Sequence, residues 1–198
     1  MSTNDIDWKS FLDKVPTDND WDAFLAKFPV EKNDEEKAKR VEMFAAFDPN
    51  GNGYLSLAEI DNGCRDILGL YELFDAKKAI MRAYQAAKSV GNNNKDGGEQ
   101  GADYVEKPEF RLLLKYLRDY FVLWKMFEKI DTGNDSRINM DEFMAAVPKI
   151  EQFFSIEIAQ PEAEFAKIDE NSGGEVLFDE FSDWALVKIL EGEDQALV

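Results

Sequence analysis

The 198-residue sequence contains no histidine and a single cysteine, Cys64. Without histidine, the chain lacks the side chain that zinc sites and general-base catalysis use most often. One cysteine cannot form an internal disulfide. Neither a glycine-rich phosphate-binding loop nor a nucleophile motif is present. The sequence therefore argues against an enzyme, and we expect Cys64 to pack as a small apolar residue rather than to react.

Basic residues and long apolar runs are also scarce. The chain has 23 Lys and Arg against 41 Asp and Glu, which gives a formal net charge of −18. This balance argues against nucleic-acid binding, because no basic patch is available for a phosphate backbone. No apolar run is long enough to cross a membrane, and the polar first residues do not resemble a signal peptide. We therefore expect a cytoplasmic protein, whose 44% of hydrophobic residues can build one or two sizeable cores.

One twelve-residue segment, Asp48–Glu59, spaces its oxygen-bearing side chains as a calcium-binding loop does. Its sixth position is Gly53, where such a loop requires a backbone with positive φ. Helical patterns flank the segment on both sides, which argues against an ordinary Asn- and Gly-rich turn. The spacing predicts an EF-hand that holds Ca²⁺ through side chains at positions 1, 3, 5 and 12 and the carbonyl of position 7: Asp48, Asn50, Asn52, Glu59 and Tyr54.

The same spacing recurs at Asp169–Glu180, where Gly174 occupies the turn position. Gly173 at position 5 has no side chain, so a water must replace that ligand or the coordination number drops by one. The predicted calcium ligands of this loop are Asp169, Asn171, Gly173, Glu175 and Glu180.

A weaker copy lies at Asp131–Glu142. Gly133 removes the side-chain ligand at position 3, and Ser136 at position 6 must adopt a left-handed conformation that costs about 1 kcal/mol. Whether this loop binds calcium stays open. Its predicted ligands are Asp131, Asp135, Arg137 through its carbonyl, and Glu142.

A fourth loop is expected because EF-hands occur in pairs, and counting back from Glu109 places it at residues 98–109. Its first, third and fifth positions lack ligands, and the Gly- and Asn-rich run at 91–98 reads as an insertion. We favour a structural hand that pairs with the Asp48 loop without an ion. The alternative is a calcium site built from Asp103, Glu106 and Glu109.

Helical periodicity between the loops predicts an all-α, calmodulin-like EF-hand fold with two lobes and extra N-terminal helices. We expect N-terminal helices in 1–33, a lobe in 34–118 and a second lobe in 119–198, with a break near Asp119. Pro148 is expected to end or bend its helix. Each lobe is expected to contain a short antiparallel contact between its loops, Leu55 with Val105 and Ile138 with Val176.

An internal repeat precedes the loops. Trp8–Pro16 and Trp21–Pro29 both read Trp-x-x-Phe-Leu-x-Lys-x-Pro, thirteen residues apart. The aromatic and aliphatic residues share one face of a short helix that Pro ends. We favour the interpretation that both helices pack onto the lobes as core. The alternative is that one copy lies in the groove of a lobe as a built-in ligand.

From about Trp21 to the end, the chain resembles the calflagins, the flagellar calcium-binding proteins of trypanosomatids. The resemblance rests on the order of one complete loop, one broken loop with an insertion and two further loops. It also rests on three short stretches: Asn62-Gly-Cys-Arg, Glu109-Phe-Arg-Leu-Leu-Leu and Ala146-Val-Pro-Lys-Ile-Glu. It implies a calcium sensor that acts at the flagellar membrane.

One expected feature of that family is absent from this sequence. The resemblance implies an N-myristoyl group on a glycine after the initiator methionine and a palmitoyl group on a nearby cysteine. Here Ser2 replaces the glycine, and Cys64 is the only cysteine. We therefore do not expect acylation at this N-terminus, and membrane contact is not expected either.

Three classes of function compete. We favour a calcium sensor that changes conformation to engage a protein partner, in the cytoplasm and in the flagellum if the family resemblance extends to location. The alternative is a soluble cytosolic calcium buffer, which binds Ca²⁺ and hardly opens. The sequence has only 6 Met but 15 Phe, and this composition argues against an adaptable calmodulin-like groove. An enzyme is the third and weakest class.

Overall fold

A computed structural model of the protein describes residues 20–92 and 104–196, which are mainly helical. The copy of the repeat at Trp8–Pro16 and residues 98–103 of the fourth loop lie outside the described residues. In chain order the elements are α1 (Trp21–Leu25), α2 (Asp34–Phe47), β1 (Tyr54–Leu55), α3 (Leu57–Asp66), α4 (Tyr71–Asp75), α5 (Lys77–Asn92), β2 (Val105–Glu106), a 3-10 turn (Lys107–Glu109), α6 (Phe110–Ile130), β3 (Ile138–Asn139), α7 (Met140–Phe154), α8 (Pro161–Ile168), β4 (Glu175–Val176) and α9 (Phe178–Ala196).

The chain forms two compact units, one of which is Asp22–Phe121 and the other of which includes Val122–Val198. Both predicted loop contacts are present. In the first unit β1 and β2 pair antiparallel, with Leu55 opposite Val105. In the second unit β3 and β4 pair antiparallel, with Ile138 opposite Val176. Each pair brings the ends of two calcium-type loops together.

Aromatic side chains fill the core of the first unit. The rings of Phe44 and Phe47 on α2 lie edge-on to the ring of Phe110, with centroids 5.2 Å and 5.4 Å apart. Phe47 also fills the space above Gly63 on α3, where an added Cβ would lie 2.2 Å from the Phe47 Cε1 atom. Gly63 therefore sets how closely α2 and α3 approach each other.

The second unit has its own aromatic core. Phe127 on α6 packs against Phe178 and Phe181 on α9, each with a centroid separation of 5.6 Å. Trp184 on α9 contacts Phe154 at 5.5 Å between ring centroids. These contacts join the helix entering the Asp131 loop to the helix leaving the Asp169 loop.

The expected break near Asp119 is wrong, and so is the first of the two alternatives for Pro148, that it ends its helix; a bend there stays a prediction. Helix α6 runs without interruption through Asp119, because it contains no Pro or Gly and because Arg118 Nε donates to the buried Asp119 Oδ1 at 2.9 Å. Helix α7 continues past Pro148 to Phe154, so that proline does not end the helix. After the first loop, α3 ends at Asp66, and Gly69, at φ 66°, turns the chain into α4.

The second copy of the repeat belongs to the first unit. Its helix α1 buries Phe24, whose ring lies 5.0 Å from the ring of Phe28 and 4.9 Å from that of Phe121. Phe24 and Phe28 are only 7% and 3% exposed. This copy therefore packs as core, and the equivalent statement for Trp8–Pro16 stays a prediction.

The helices in residues 20–92 and 104–196 include none with the length and apolar character needed to span a membrane. The predicted packing of Cys64 is confirmed, since its side chain is fully buried on α3. Burial raises the pKa of the Cys64 thiol to about 12, with a smaller contribution from Asp61. At neutral pH this thiol is therefore not a nucleophile.

Candidate calcium-binding loops

Helix α2 ends at Phe47, and the side chain of the next residue, Asp48, organises the first loop. Its Oδ1 atom accepts the Asn52 N–H at 3.1 Å, and its Oδ2 atom accepts the Gly53 N–H at 2.8 Å. The Asn52 Oδ1 atom accepts the Tyr54 N–H at 2.8 Å. The loop thus wraps its backbone around a carboxylate that is only 9% exposed.

Glu59 closes the first loop with its two carboxylate oxygens in different roles. The Oε2 atom accepts the Ser56 N–H at 2.9 Å and the Ser56 hydroxyl at 2.7 Å, which caps helix α3. The Oε1 atom faces the loop, where the Asn50 side chain donates to it at 2.5 Å. Positions 3 and 12 therefore meet, and the Asn52 N–H is shared between the side-chain oxygens of positions 1 and 3.

The Asp169 loop repeats this geometry. The Asp169 Oδ1 and Oδ2 atoms accept the N–H groups of Gly173 and Gly174 at 2.9 Å and 2.8 Å. Glu180 accepts the Leu177 N–H at 2.9 Å through Oε2. Its Oε1 atom accepts the Asn171 side-chain amide at 2.6 Å. The Glu175 backbone lies in β4, and Gly173 contributes no side chain.

The first half of the Asp131 loop has the same pattern of hydrogen bonds as the first half of the Asp48 loop. Asp131 accepts the N–H groups of Asp135 and Ser136 at 3.2 Å and 2.8 Å through its two oxygens. The Asp135 Oδ1 atom accepts the Arg137 N–H at 3.0 Å. The predicted first and fifth ligands of this loop therefore occupy the positions that their counterparts have in the first loop.

Glu142 closes the Asp131 loop differently, because position 3 is Gly133. Its Oε1 atom accepts the Gly133 N–H at 2.7 Å and the Thr132 hydroxyl at 3.1 Å. Its Oε2 atom accepts the Asn139 N–H at 3.0 Å. Burial raises the pKa of the Glu142 carboxyl, but the donors Asn139, Gly133 and Thr132 outweigh burial and hold that pKa below its usual value. The hydrogen bonds from these protein groups are enough to keep the Glu142 carboxylate ionised.

The three loops also share two left-handed backbone positions. A residue with a Cβ is strained there, whereas glycine is not. The predicted left-handed conformation of Ser136 is confirmed. The residues at loop position 4 are Gly51 (φ 69°), Asn134 (φ 54°) and Ser172 (φ 56°), and those at position 6 are Gly53 (φ 83°), Ser136 (φ 65°) and Gly174 (φ 80°).

The predicted ligands of each loop can hold a hard cation such as Ca²⁺ only by combining carboxylate oxygens with amide and carbonyl oxygens. Within the described part of the chain, no three side chains of Asp, Glu, Cys or His gather closely enough to hold a metal by themselves. Asp131, Asp135 and Glu142 are thus not brought together as a carboxylate cluster. The Asp48 loop instead combines two carboxylates, two asparagines and a backbone carbonyl, and the Asp169 loop combines two carboxylates, one asparagine and backbone carbonyls, which is the oxygen chemistry that Ca²⁺ uses.

The fourth loop is described only from residue 104. Glu109 is 7% exposed, and its Oε2 atom accepts the Glu106 N–H at 2.9 Å. This is the capping contact that Glu59, Glu142 and Glu180 make in their own loops. The closing glutamate therefore keeps its structural role in a loop that lacks the early ligands.

The side chains at loop position 7 meet across each pair of loops. The ring centroids of Tyr54 and Tyr104 lie 6.2 Å apart. In the second unit, Arg137 Nη1 forms an ion pair with Glu175 Oε2. Sequence reasoning assigned only a carbonyl to these positions, although the antiparallel register could have predicted that their side chains would be neighbours.

Further functional residues follow from the helix caps. Ser56 and Asn139 each stand three residues before a closing glutamate and cap the following helix. The pattern Ser-x-x-Glu is a recognisable capping box and would have identified the Ser56 contact from the sequence. The contact from Thr132 to Glu142 has no comparable sequence pattern, because it depends on the loop conformation.

Comparisons with known proteins agree with this geometry. Residues 24–117 match a family model described as the FCaBP EF-hand domain. Flagellar calcium-binding protein TB-24 of Trypanosoma brucei brucei is 40% identical over 81% of this chain and 73% of its own length. The flagellar calcium-binding protein of Trypanosoma cruzi is 37% identical over 82% of this chain and 76% of its own.

A solved structure also matches, that of a homolog of programmed cell death 6 protein from Leishmania major Friedlin. Its TM-score is 0.39 and its sequence identity 16%, over 79% of this chain and 75% of that chain. The family relationship rests on the far higher identities to the trypanosome proteins. The predicted all-α EF-hand fold is confirmed, and the chain belongs to the flagellar calcium-binding protein family, the calflagins, a family of calcium-binding EF-hand proteins.

Proposed function

We propose that this protein is a calcium sensor whose principal Ca²⁺ sites are the Asp48 and Asp169 loops. The observation that carries the proposal is the same arrangement of hydrogen bonds in both loops. The first carboxylate holds the backbone of positions 5 and 6, and the closing glutamate meets the asparagine of position 3. Ca²⁺ would replace the hydrogen bond between the asparagine amide and the closing glutamate in each loop.

The remaining two loops have subordinate roles in this proposal. The Asp131 loop is a weaker site, because its third ligand is missing and its closing carboxylate is satisfied by Thr132 and Gly133. The loop closed by Glu109 is structural and supports the Asp48 loop through the Leu55–Val105 contact. The proposed ligands of the principal sites are Asp48, Asn50, Asn52, Tyr54, Glu59, Asp169, Asn171, Gly173, Glu175 and Glu180.

As a sensor, the protein would change conformation on binding Ca²⁺ and present apolar surface to a protein partner. The names of its relatives support a flagellar location, since they are flagellar calcium-binding proteins. Contact with a membrane is not part of the proposal.

One contact favours the alternative of a calcium buffer. In the second unit, Glu164 on α8 accepts Trp184 Nε1 from α9 at 2.9 Å and pairs with Lys188 Nζ at 3.3 Å. These bonds tie the entering helix of the Asp169 loop to the leaving helix. A hand whose helices are tied in this way opens less readily on binding an ion, as buffer proteins do.

Calcium titration by calorimetry tests the assignment of sites. Glu59→Gln and Glu180→Gln each remove a carboxylate oxygen and should weaken the corresponding site by more than about tenfold. Glu42→Gln and Glu170→Gln are matched controls, because both residues are exposed and neither is a proposed ligand. Unchanged stoichiometry and affinity in both ligand variants would refute the sites.

A second experiment distinguishes sensor from buffer. Trp124 and Trp184 lie in the aromatic core of the second unit, where they contact Phe178 and Phe181. In a Trp8→Phe, Trp21→Phe background, a sensor should show a calcium-dependent change in Trp emission together with binding of an apolar dye. A buffer should bind Ca²⁺ in the calorimeter with no gain in dye fluorescence.

A further inference from the structure

Two tyrosine side chains contact each other outside the core of the first unit. Tyr54 lies in β1 opposite Glu106, so that Tyr104, two residues before Glu106, is its diagonal neighbour across the pair of strands. Diagonal neighbours in an antiparallel pair lie close enough for aromatic side chains to touch. The two ring centroids are 6.2 Å apart, with an angle of 56° between the ring planes.

Both of these rings are accessible to solvent, since Tyr54 is 42% exposed and Tyr104 is 39% exposed. All six tyrosines of the chain lie within the described residues. The other contact between two of them joins Tyr116 and Tyr120 on α6, with 6.3 Å between ring centroids, but those rings are only 8% and 6% exposed. Tyr54 and Tyr104 are therefore the neighbouring tyrosines of this chain that a dissolved reagent can reach.

Packing alone does not require tyrosine at these two positions, because phenylalanine would make the same ring contact. The phenol adds redox chemistry, since it can lose one electron and one proton to a one-electron oxidant. The equivalent contact in the second unit is the ion pair of Arg137 and Glu175, which has no such chemistry. The pair of phenols thus distinguishes the first unit from the second.

We propose that Tyr54 and Tyr104 form an oxidative modification site, at which a one-electron oxidant such as the oxidised haem of a peroxidase joins the two rings as dityrosine. Each phenol gives up one electron and one proton, which leaves two phenoxyl radicals. The radicals couple through a new C–C bond between a ring carbon ortho to each oxygen. The hydrogen on each of those carbons then moves to the phenol oxygen. The protein has lost two electrons and two protons in total, and these convert one hydrogen peroxide to two waters.

The geometry favours coupling within one molecule. Two rings that are already in contact have a far higher effective concentration towards each other than rings on separate molecules. The net charge of −18 also opposes the approach of a second copy of the chain. Tyr71 is the most exposed tyrosine, at 68%, but contacts no other tyrosine ring, so it can couple only between molecules.

The cross-link fixes the Asp48 loop to the loop closed by Glu109. Tyr54 also supplies the backbone carbonyl at position 7 of the Asp48 loop, so the cross-link restrains this carbonyl before an ion binds. Such restraint raises affinity, because less conformational freedom is lost on binding. This consequence rests on the calcium site proposed above, and we expect the cross-linked Asp48 loop to bind Ca²⁺ about threefold more tightly or better.

Oxidation of the full chain by a haem peroxidase and hydrogen peroxide, with a calcium chelator present, tests the modification site. The expected product is a monomer on a denaturing gel that has the blue emission of dityrosine and a mass lower by two hydrogen atoms. After digestion with trypsin, the peptides 41–65 and 96–111 should be found joined. Dityrosine that occurs mainly in covalent dimers, or that joins other peptides, would overturn the proposal.

Substitutions by phenylalanine keep each ring and remove only its phenol. Tyr54→Phe and Tyr104→Phe should each abolish the cross-link within the monomer, whereas Tyr71→Phe should reduce only dimers. Tyr116→Phe is the matched control from the buried pair and should leave the product unchanged. Burial, with a smaller contribution from Asp119, raises the pKa of the Tyr116 phenol, which opposes loss of its proton. A monomeric cross-link that persists in Tyr54→Phe would contradict the assignment.

Calorimetry on the purified cross-linked protein, after removal of the chelator, measures the effect on calcium binding. Tyr104→Phe protein that has passed through the same oxidation is the control and should keep the affinity of untreated protein. An unchanged affinity in cross-linked protein would refute the effect on the Asp48 loop. Untreated protein that binds no Ca²⁺ at this loop would refute the calcium site itself, whereas the cross-linking reaction is measured without calcium and is judged separately.

Discussion

At the scale of single residues, Gly63 leaves the least room for an added Cβ among the glycines that the structure describes. Alanine normally stabilises a helix by up to about 1 kcal/mol relative to glycine. Here its Cβ would lie 2.2 Å from a ring that is 1% exposed and cannot move aside cheaply. We expect Gly63→Ala to lower the free energy of unfolding by about 1–3 kcal/mol, measured by urea denaturation.

Gly69→Ala serves as the control for Gly63. Its backbone has φ 66° and no atom lies within 4 Å of the added Cβ, so it reports left-handed strain without crowding. We expect a cost of about 1 kcal/mol there. If Gly63→Ala proves neutral or stabilising, the close approach of α2 and α3 is not as described.

Glu164 gives the second unit a dependence on pH. Burial raises the pKa of this carboxyl, but hydrogen bonds from Lys167, Trp184 and Lys188 lower it to about 2. The folded pKa is thus below the unfolded value of about 4.3, so the contribution to stability is complete above that value and is lost as pH falls from about 5 towards 2. We expect Glu164→Gln to reduce stability at pH 7 by roughly 2 kcal/mol.

Chemical denaturation at several pH values, with a calcium chelator present, measures this contribution. The difference between wild type and Glu164→Gln should shrink as the pH falls towards 3. Glu162→Gln, an exposed residue on the same helix, is the control and should change little. A difference that stays constant over this range would show that the ion pair does not act through the charge of Glu164.

The loop positions that need an oxygen or a positive φ could largely be predicted from the sequence. The side chains with which long polar residues form hydrogen bonds could not. Asp48, Glu59 and Gly53 could be located by spacing alone, because an EF-hand loop fixes which positions need oxygens and which need positive φ. The bonds from Thr132 to Glu142 and from Trp184 to Glu164 join residues that no short motif relates. They depend on how the folded helices place long side chains.

At the scale of secondary-structure elements, the contact between β1 and β2 is the main connection between the loops of the first unit. Leu55 and Val105 lie opposite each other and are both fully buried. Val105→Asp would bury an unpaired charge there, and we expect a loss of a few kcal/mol in the stability of this unit. Circular dichroism melting tests this, with Lys107→Asp as the exposed control. Unaltered melting of the Val105 variant would contradict a structural role for the fourth loop.

Helix boundaries were the least predictable part of the fold. A break was expected near Asp119 and an end or a bend at Pro148, since proline lacks the N–H that the interior of a helix uses. Arg118 forms an ion pair with Asp119 through Oδ1, and α7 continues through Pro148 near its middle. Helix propensity ranks residues one at a time, so it contains neither a side-chain pair such as Arg118–Asp119 nor the continuation of a particular helix through proline.

At the scale of the whole molecule, charge is the dominant property. The net charge of −18 would remain strongly negative with three Ca²⁺ bound, so anionic lipid should repel a chain of this sequence. We expect it to stay in the supernatant when centrifuged with vesicles rich in phosphatidylserine, with or without calcium. Vesicles of a cationic lipid are the control and should bind it. Calcium-dependent pelleting that disappears in a Trp8→Ala, Phe11→Ala variant would contradict this expectation.

In each pair of loops the two side chains at position 7 contact each other, but the type of contact differs between the pairs. The strength of the contact should therefore depend on ionic strength in one pair and not in the other. Tyr54 and Tyr104 meet through their rings, whereas Arg137 and Glu175 form an exposed ion pair. Mobile ions screen an exposed pair and leave an aromatic contact intact, with a Debye length of about 8 Å at 0.15 M salt. Added salt should therefore loosen the communication between the Asp131 and Asp169 loops, while the Asp48 loop and its partner remain coupled as before.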